Sequence, residues 1–220
     1  ASDALSNVRR SQPGNNFCMQ LTESQREEIS KSSAFRSFEF QSCQMQMVDV
    51  DGMDDNSKAV FFCNIFNVMT IHAVMYCLPN GTSFYEKYNF MRNTKYNISG
   101  MVLSLLDIEH NILRAQTSSP YSIFGPVSIK TSSFSEKDPR GQMALKKAFP
   151  LVSFVLFSAS MSSPPLTTLW DPSTVKQEMR RSTAQYLQEY IQIDKKNKTI
   201  LVPEQFRWYW KDFGGAKMKV

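Results

Sequence analysis

The chain has 220 residues, 42% hydrophobic and 20% charged, enough to bury a core without disulfides and unlike disordered or collagenous sequence. Its net charge of +5 comes from cations scattered among acids with no run of five, which argues against the one-sided basic strip of a nucleic-acid binder. Sixteen Phe and twelve Met suit an irregular, adaptable interior.

Residues 1–22 are polar, contain Pro13-Gly14, and read as an N-terminal arm. Residues 23–40 read as one or two short helices. The stretch Val48-Asp-Val-Asp-Gly-Met-Asp-Asp-Asn has the look of a calcium loop. It lacks the third ligand before the glycine, and Val60 stands where the closing Glu belongs, so a turn and helix cap is the better reading. Residues 57–78 contain neither Gly nor Pro and end at Pro79-Asn80-Gly81. That length approaches a bilayer span, yet Asn64, Asn67 and His72 would each be costly in lipid, so a buried central helix is expected.

A short aromatic helix is expected over 83–92. Ser104-Leu-Leu-Asp107 then has the form of a capping box opening a helix to about residue 115. Residues 117–137, rich in Ser, Thr, Pro and Gly, read as a long loop with a strand at 127–130. The apolar run Leu151-Val-Ser-Phe-Val-Leu-Phe has the length and β-branched content of a buried strand. Asp171-Pro172 reads as an N-cap and first helical residue, before a helix with Val175, Met179, Tyr186, Tyr190 and Ile193 on one side. A strand at 199–202 and a helix at 204–213 complete the pattern. Together these predict an α+β (mixed α/β) fold, a central buried helix with further helices packed around a small β-sheet. Residues 23–213 form one globular domain on this reading, and 214–220 a tail.

Four cysteines, Cys18, Cys43, Cys63 and Cys77, are compatible with two disulfides, and none forms a CxxC pair. On one helix Cys63 and Cys77 lie about 21 Å apart, too far to bond to each other. The sequons at Asn80, Asn97 and Asn197 fit glycosylation acceptors. With the cysteines, and with no leader at Ala1, they predict the mature chain of a secreted or extracellular protein.

No nucleophile elbow, P-loop, dinucleotide fingerprint or zincin motif is present, and with only His72 and His110 no metal centre is assigned. Cofactors are unassigned. At about 100° per residue, Asn67 falls within the stripe of Val60, Cys63, Ile71, Val74 and Leu78. Buried there, it needs hydrogen-bond partners. The same projection places Glu109 among Leu105, Ile108 and Ile112, and puts His110 and Arg114 on a different face. A carboxylate on an apolar face either ties the core together or lines a site. Asn67 or Arg114 is its expected polar partner. The Arg207-Trp-Tyr-Trp-Lys-Asp-Phe213 end reads as the packing surface of a terminal helix or as an aromatic ligand surface.

The segment from Ala59 to His72, with Asn64 and Asn67 between aromatics, resembles the aromatic–Asn–aromatic–Asn helix of the domain-of-unknown-function 547 family. Ile108-Glu-His-Asn-Ile-Leu-Arg114, Asp138-Pro-Arg140, Ser162-Ser-Pro-Pro165 and Trp208-Tyr-Trp-Lys-Asp-Phe213 are similar to later family segments, in order, so the likeness runs from about residue 35 to 213. The family strand that reads His-Phe-Ala-Leu is here Ser153-Phe-Val-Leu. Its following Cys is Ser158, and its Cys before Pro is Ser163. If relatives use a thiolate and an imidazole there, this chain has serine at all three positions.

Two functions are compatible with these residues. One is a non-catalytic binding protein with a pocket for a small, largely apolar ligand, near Asn67, Glu109, His110, Arg114, Ser158 and Ser163. The alternative is a hydrolase or transferase with Ser163 as nucleophile, His110 as base and Glu109 as its orienter. No nucleic-acid partner and no transmembrane segment are expected, and the sequence leaves oligomeric state open.

Overall fold

The computed structural model describes residues 21–76, 84–115, 133–159, 163–203 and 205–213. Two short helices come first, α1 (Glu23–Lys31) and α2 (Ser33–Cys43). A capping box starts α1, the Thr22 hydroxyl accepting from Gln25 N–H while the Gln25 side chain accepts from Thr22 N–H. The Ser32 hydroxyl caps α2 by accepting from Phe35 N–H. Asp54 accepts from Ser57 N–H at 2.7 Å to open α3 (Asp55–Tyr76), so the acidic stretch is indeed a turn and cap.

The long helix α3 is the axis of the molecule. It is apolar on nearly every side and buries Phe62, Cys63, Phe66, Asn67, Met69 and Val74. By length and composition it could cross a membrane, but half of its apolar window is buried inside the structure. The segments Asp107–Leu113 and Val175–Tyr190 pack against it. On another side α2 docks through an aromatic cluster, in which Phe35, Phe38, Tyr76 and Tyr96 all meet the His72 ring edge-on. His72 Nδ1 shares a hydrogen bond with the Tyr96 hydroxyl, and the Tyr76 hydroxyl donates to Glu39.

After α4 (Phe84–Asn93) the chain forms a hairpin, β1 (Lys95–Ile98) with β2 (Met101–Ser104). Ile98 pairs with Met101 across a two-residue turn, Ser99 and Gly100, both at positive φ. That is the type I′ geometry, whose twist matches that of the strands. The hairpin was not legible in the sequence. Ser104 and Asp107 then exchange hydrogen bonds, the side chain of each accepting from the other's N–H, as the capping box predicts.

The helix they open is not a regular one: Asp107–Leu113 is a π-helix, and Arg114 N–H donates to Glu109 C=O, five residues back, at 3.1 Å. Downstream lie a 3₁₀ turn at Pro139–Met143, a second at Val152–Phe154, and helix α5 (Val175–Tyr190). Residues 172–174 form a turn ahead of α5, so the helix proper starts three residues after the expected Pro172. The hairpin β3 (Gln192–Asp194) and β4 (Thr199–Leu201) follows, then α6 (Gln205–Trp208) and a 3₁₀ turn at Trp210–Phe213.

The α+β class therefore holds, and among the described residues the strands form two separate antiparallel ribbons. Residues 151–157 are not a strand. They make a 3₁₀ turn and an irregular segment, buried from Val152 to Phe157, and the α3 amide of Asn67, not a neighbouring strand, accepts from Phe157 N–H. The strand expected at 127–130, residues 1–20 of the arm at 1–22 and the tail at 214–220 lie outside the described residues.

Candidate functional site

Asn64 and Asn67 sit one turn apart on α3 and hold Val155, Phe157, Thr167 and Leu169 by the backbone. Asn67 Nδ2 donates to the carbonyls of Val155 (3.1 Å) and Thr167 (2.9 Å), and its Oδ1 accepts from Phe157 N–H at 2.7 Å. Asn64 makes a reciprocal pair with Leu169, donating to its C=O and accepting from its N–H. Three backbone groups occupy the Asn67 amide, so it shapes the segment that carries Ser153, Ser158 and Ser163.

That segment lies over the π-helix. Glu109, Ser153, Ser158, Pro164, Trp208 and Tyr209 line one narrow cleft, with Phe66 in its wall and Lys87 beside Trp208. Glu109, Pro164, Trp208 and Tyr209 belong to three of the segments that resemble the family, while Ser153 and Ser158 stand at positions that depart from it. The cleft measures about 30 Å³, room for roughly two water molecules. Ser153 is buried, and among the described residues its hydroxyl has no hydrogen-bond partner, an arrangement that costs about 1–3 kcal/mol unless something occupies the cleft.

Glu109 is buried, as its place in the apolar pattern predicts, but neither named partner is correct. The Tyr209 hydroxyl donates to Glu109 Oε1, and His110 Nε2 lies 3.8 Å from Glu109 Oε2. Arg114 turns instead to Asp212, which it meets with two parallel hydrogen bonds, and its guanidinium lies 4.2 Å over the Tyr209 ring. Burial pushes the Asp212 carboxyl above its ordinary range, against the pull of Arg114. Asp212 and Tyr209 were missed as site residues. Their signal was the Trp-Tyr-Trp-Lys-Asp-Phe segment, read only as packing or as a ligand surface.

Ser163 is buried, and its hydroxyl accepts from Ser158 N–H at 2.8 Å and donates to Pro164 C=O at 3.1 Å. Among the described residues neither histidine bonds to it. Burial also holds the His110 imidazole down to about 4, although Glu109 pulls the other way. Its ordinary value is about 6.5. A folded-state value below the unfolded one means stability is complete above about pH 6.5 and drains away as pH falls toward 4. Between pH 7.5 and about pH 4.5 this one group should remove roughly 2–3 kcal/mol of folding free energy. Urea unfolding at the two pH values checks this, because His110→Gln should lose correspondingly less. Equal losses in both proteins would mean that His110 is not held neutral.

The other site residues fall elsewhere. Cys43 is exposed and Cys63 buried, both as free thiols, and burial raises the Cys63 thiol far above its ordinary value. Asn97 on β1 and Asn197 in the β3–β4 turn are exposed. Cys18, Cys77 and Asn80 lie outside the described residues. Among the described residues, no three His, Cys, Asp or Glu side chains gather closely enough to hold a metal.

An α+β scaffold whose Asn-x-x-Asn helix holds a Ser-Pro loop over a buried glutamate is the class that fold and site define. Residues 50–187, more than half of the chain, match the family model described as a protein of unknown function, DUF547, and the chain belongs to that family. No curated protein and no solved structure matches it.

Proposed function

We propose that this chain is a non-catalytic, exported binding protein whose site is the cleft over Glu109. The commitment of the Ser163 hydroxyl to two backbone groups carries the reading. A serine nucleophile needs a base within about 2.6–3.2 Å, and the imidazole assigned that role is a weak base buried beside Glu109. What remains is a binder's equipment: apolar walls from Phe66, Leu156 and Trp208, a buried carboxylate, and the Ser153 hydroxyl awaiting a partner.

The cleft volume narrows the ligand. A small, largely apolar molecule does not fit whole. Its hydrogen-bonding end does, reaching Ser153 and Glu109 past Lys87 and Trp208. Exposure of the Asn97 and Asn197 sequons supports export; the free Cys43 and Cys63 thiols lend no support to the expected disulfides.

The test is a fluorophosphonate serine probe applied to the parent and to Ser163→Ala. We expect no stoichiometric labelling of either protein. Labelling of the parent that disappears in Ser163→Ala would establish the hydrolase reading in its place.

A further inference from the structure

A second cavity is much larger than the cleft at Glu109. A groove of about 390 Å³ lies where the 147–151 segment meets the first turns of α5, inside the range of about 300–1,000 Å³ for ligand pockets. Its floor is apolar, formed by Phe149, Leu151 and the wholly buried Met179. Its rim is cationic, formed by the exposed Lys147, Lys176 and Arg180.

None of these three cations forms an ion pair among the described residues. Lys176 instead rests 5.8 Å over the Phe149 ring, held against the apolar floor by a cation–π contact. The one acid in the lining, Asp55, has an oxygen engaged by Lys146 N–H at 3.0 Å. Helices α3 and α5 both begin at this groove, at Asp55 and Val175, and bring their positive ends to it.

Apolar floor and cationic rim together define the ligand by chemistry. We infer that this groove binds a free amphipathic carboxylate, such as a medium-chain fatty acid. Its chain lies on Phe149, Leu151 and Met179, and its head is held by Lys176 and the planar fork of Arg180. Arg matches a carboxylate with two parallel hydrogen bonds, and Lys supplies a mobile point charge. The site stands whether or not the cleft at Glu109 binds anything, since the two share no lining residue.

Titration calorimetry of the full chain with decanoate and with decanol tests it. Decanoate should bind roughly tenfold or more tightly than decanol, and added salt should weaken decanoate alone. The double variant Lys176→Gln/Arg180→Gln changes only exposed side chains. It should weaken decanoate by roughly tenfold and leave decanol unchanged. Phe149→Ser should weaken both. Equal affinity for acid and alcohol, or decanoate binding unaffected in the double variant, overturns the inference. Association with phosphatidylserine vesicles in the absence of decanoate binding also overturns it, and would make the face a membrane-contact surface.

Discussion

Replacing Arg114 with methionine should lower folding stability by about 3–5 kcal/mol. Arg114 is buried, the Asp212 side chain is only 7% exposed, and their pairing is bidentate. Taking a charge from water costs several kcal/mol, and close pairing recovers it only while both partners remain. Methionine keeps the volume but strands the Asp212 carboxylate, which burial already pushes toward its neutral form. The cation over the Tyr209 ring is lost as well, loosening the terminal segment that closes the Glu109 cleft. Adding Asp212→Leu should recover most of the loss, because an apolar pair of similar volume is often neutral or stabilising. Denaturant midpoints at constant slope measure both effects. A loss below about 1 kcal/mol in the single variant would mean that the pair behaves as a surface ion pair.

Asn67→Leu should cost a similar amount, about 3–5 kcal/mol, by a different route. The substitution conserves bulk and leaves the Val155 and Thr167 carbonyls and the Phe157 N–H without their partner. Each buried orphan costs about 1–3 kcal/mol, and the three do not add fully because the loop relaxes. Asn64→Leu should cost less, since Asn64 is only half-buried and serves a single residue, Leu169. Hydrogen exchange gives the sharper readout. In the parent the Phe157 amide should be protected although it belongs to no strand, and in Asn67→Leu it should exchange with the loop. Persistent protection in the variant would show that something else holds this segment.

The burial of Asn67 was legible because α3 is a regular helix, so 100° per residue places the amide correctly among apolar neighbours. Its partners were not, because they are backbone groups about ninety to a hundred residues away, and a backbone group leaves no mark in a sequence. Glu109 shows where the projection stops working. Its burial was read correctly, yet His110 and Arg114, assigned to another face, are buried too. Angles drawn for an α-helix do not apply to a π-helix, and a segment enclosed on every side has no outward face. The run 151–157 misled for a related reason. Continuous hydrophobicity reports burial on all sides but says nothing about what satisfies the backbone. The serines of the cleft were found through resemblance, since a serine in a buried segment carries no signal of its own.

The π-helix of residues 107–113 makes this stretch sensitive to length more than to chemistry. It fits one more residue into each turn than its neighbours do, so removing any single residue would let the ladder close into ordinary α-helix. Everything after the cut would then swing through about 100°. Arg114 would leave Asp212, and the Ile112 carbonyl, which now accepts from Leu145 N–H at 3.1 Å, would lose that bond. Conservative exchanges of size and polarity can be absorbed by local repacking, but a one-residue deletion or insertion here cannot. Among descendants of this chain, this segment should vary in letters long before it varies in count.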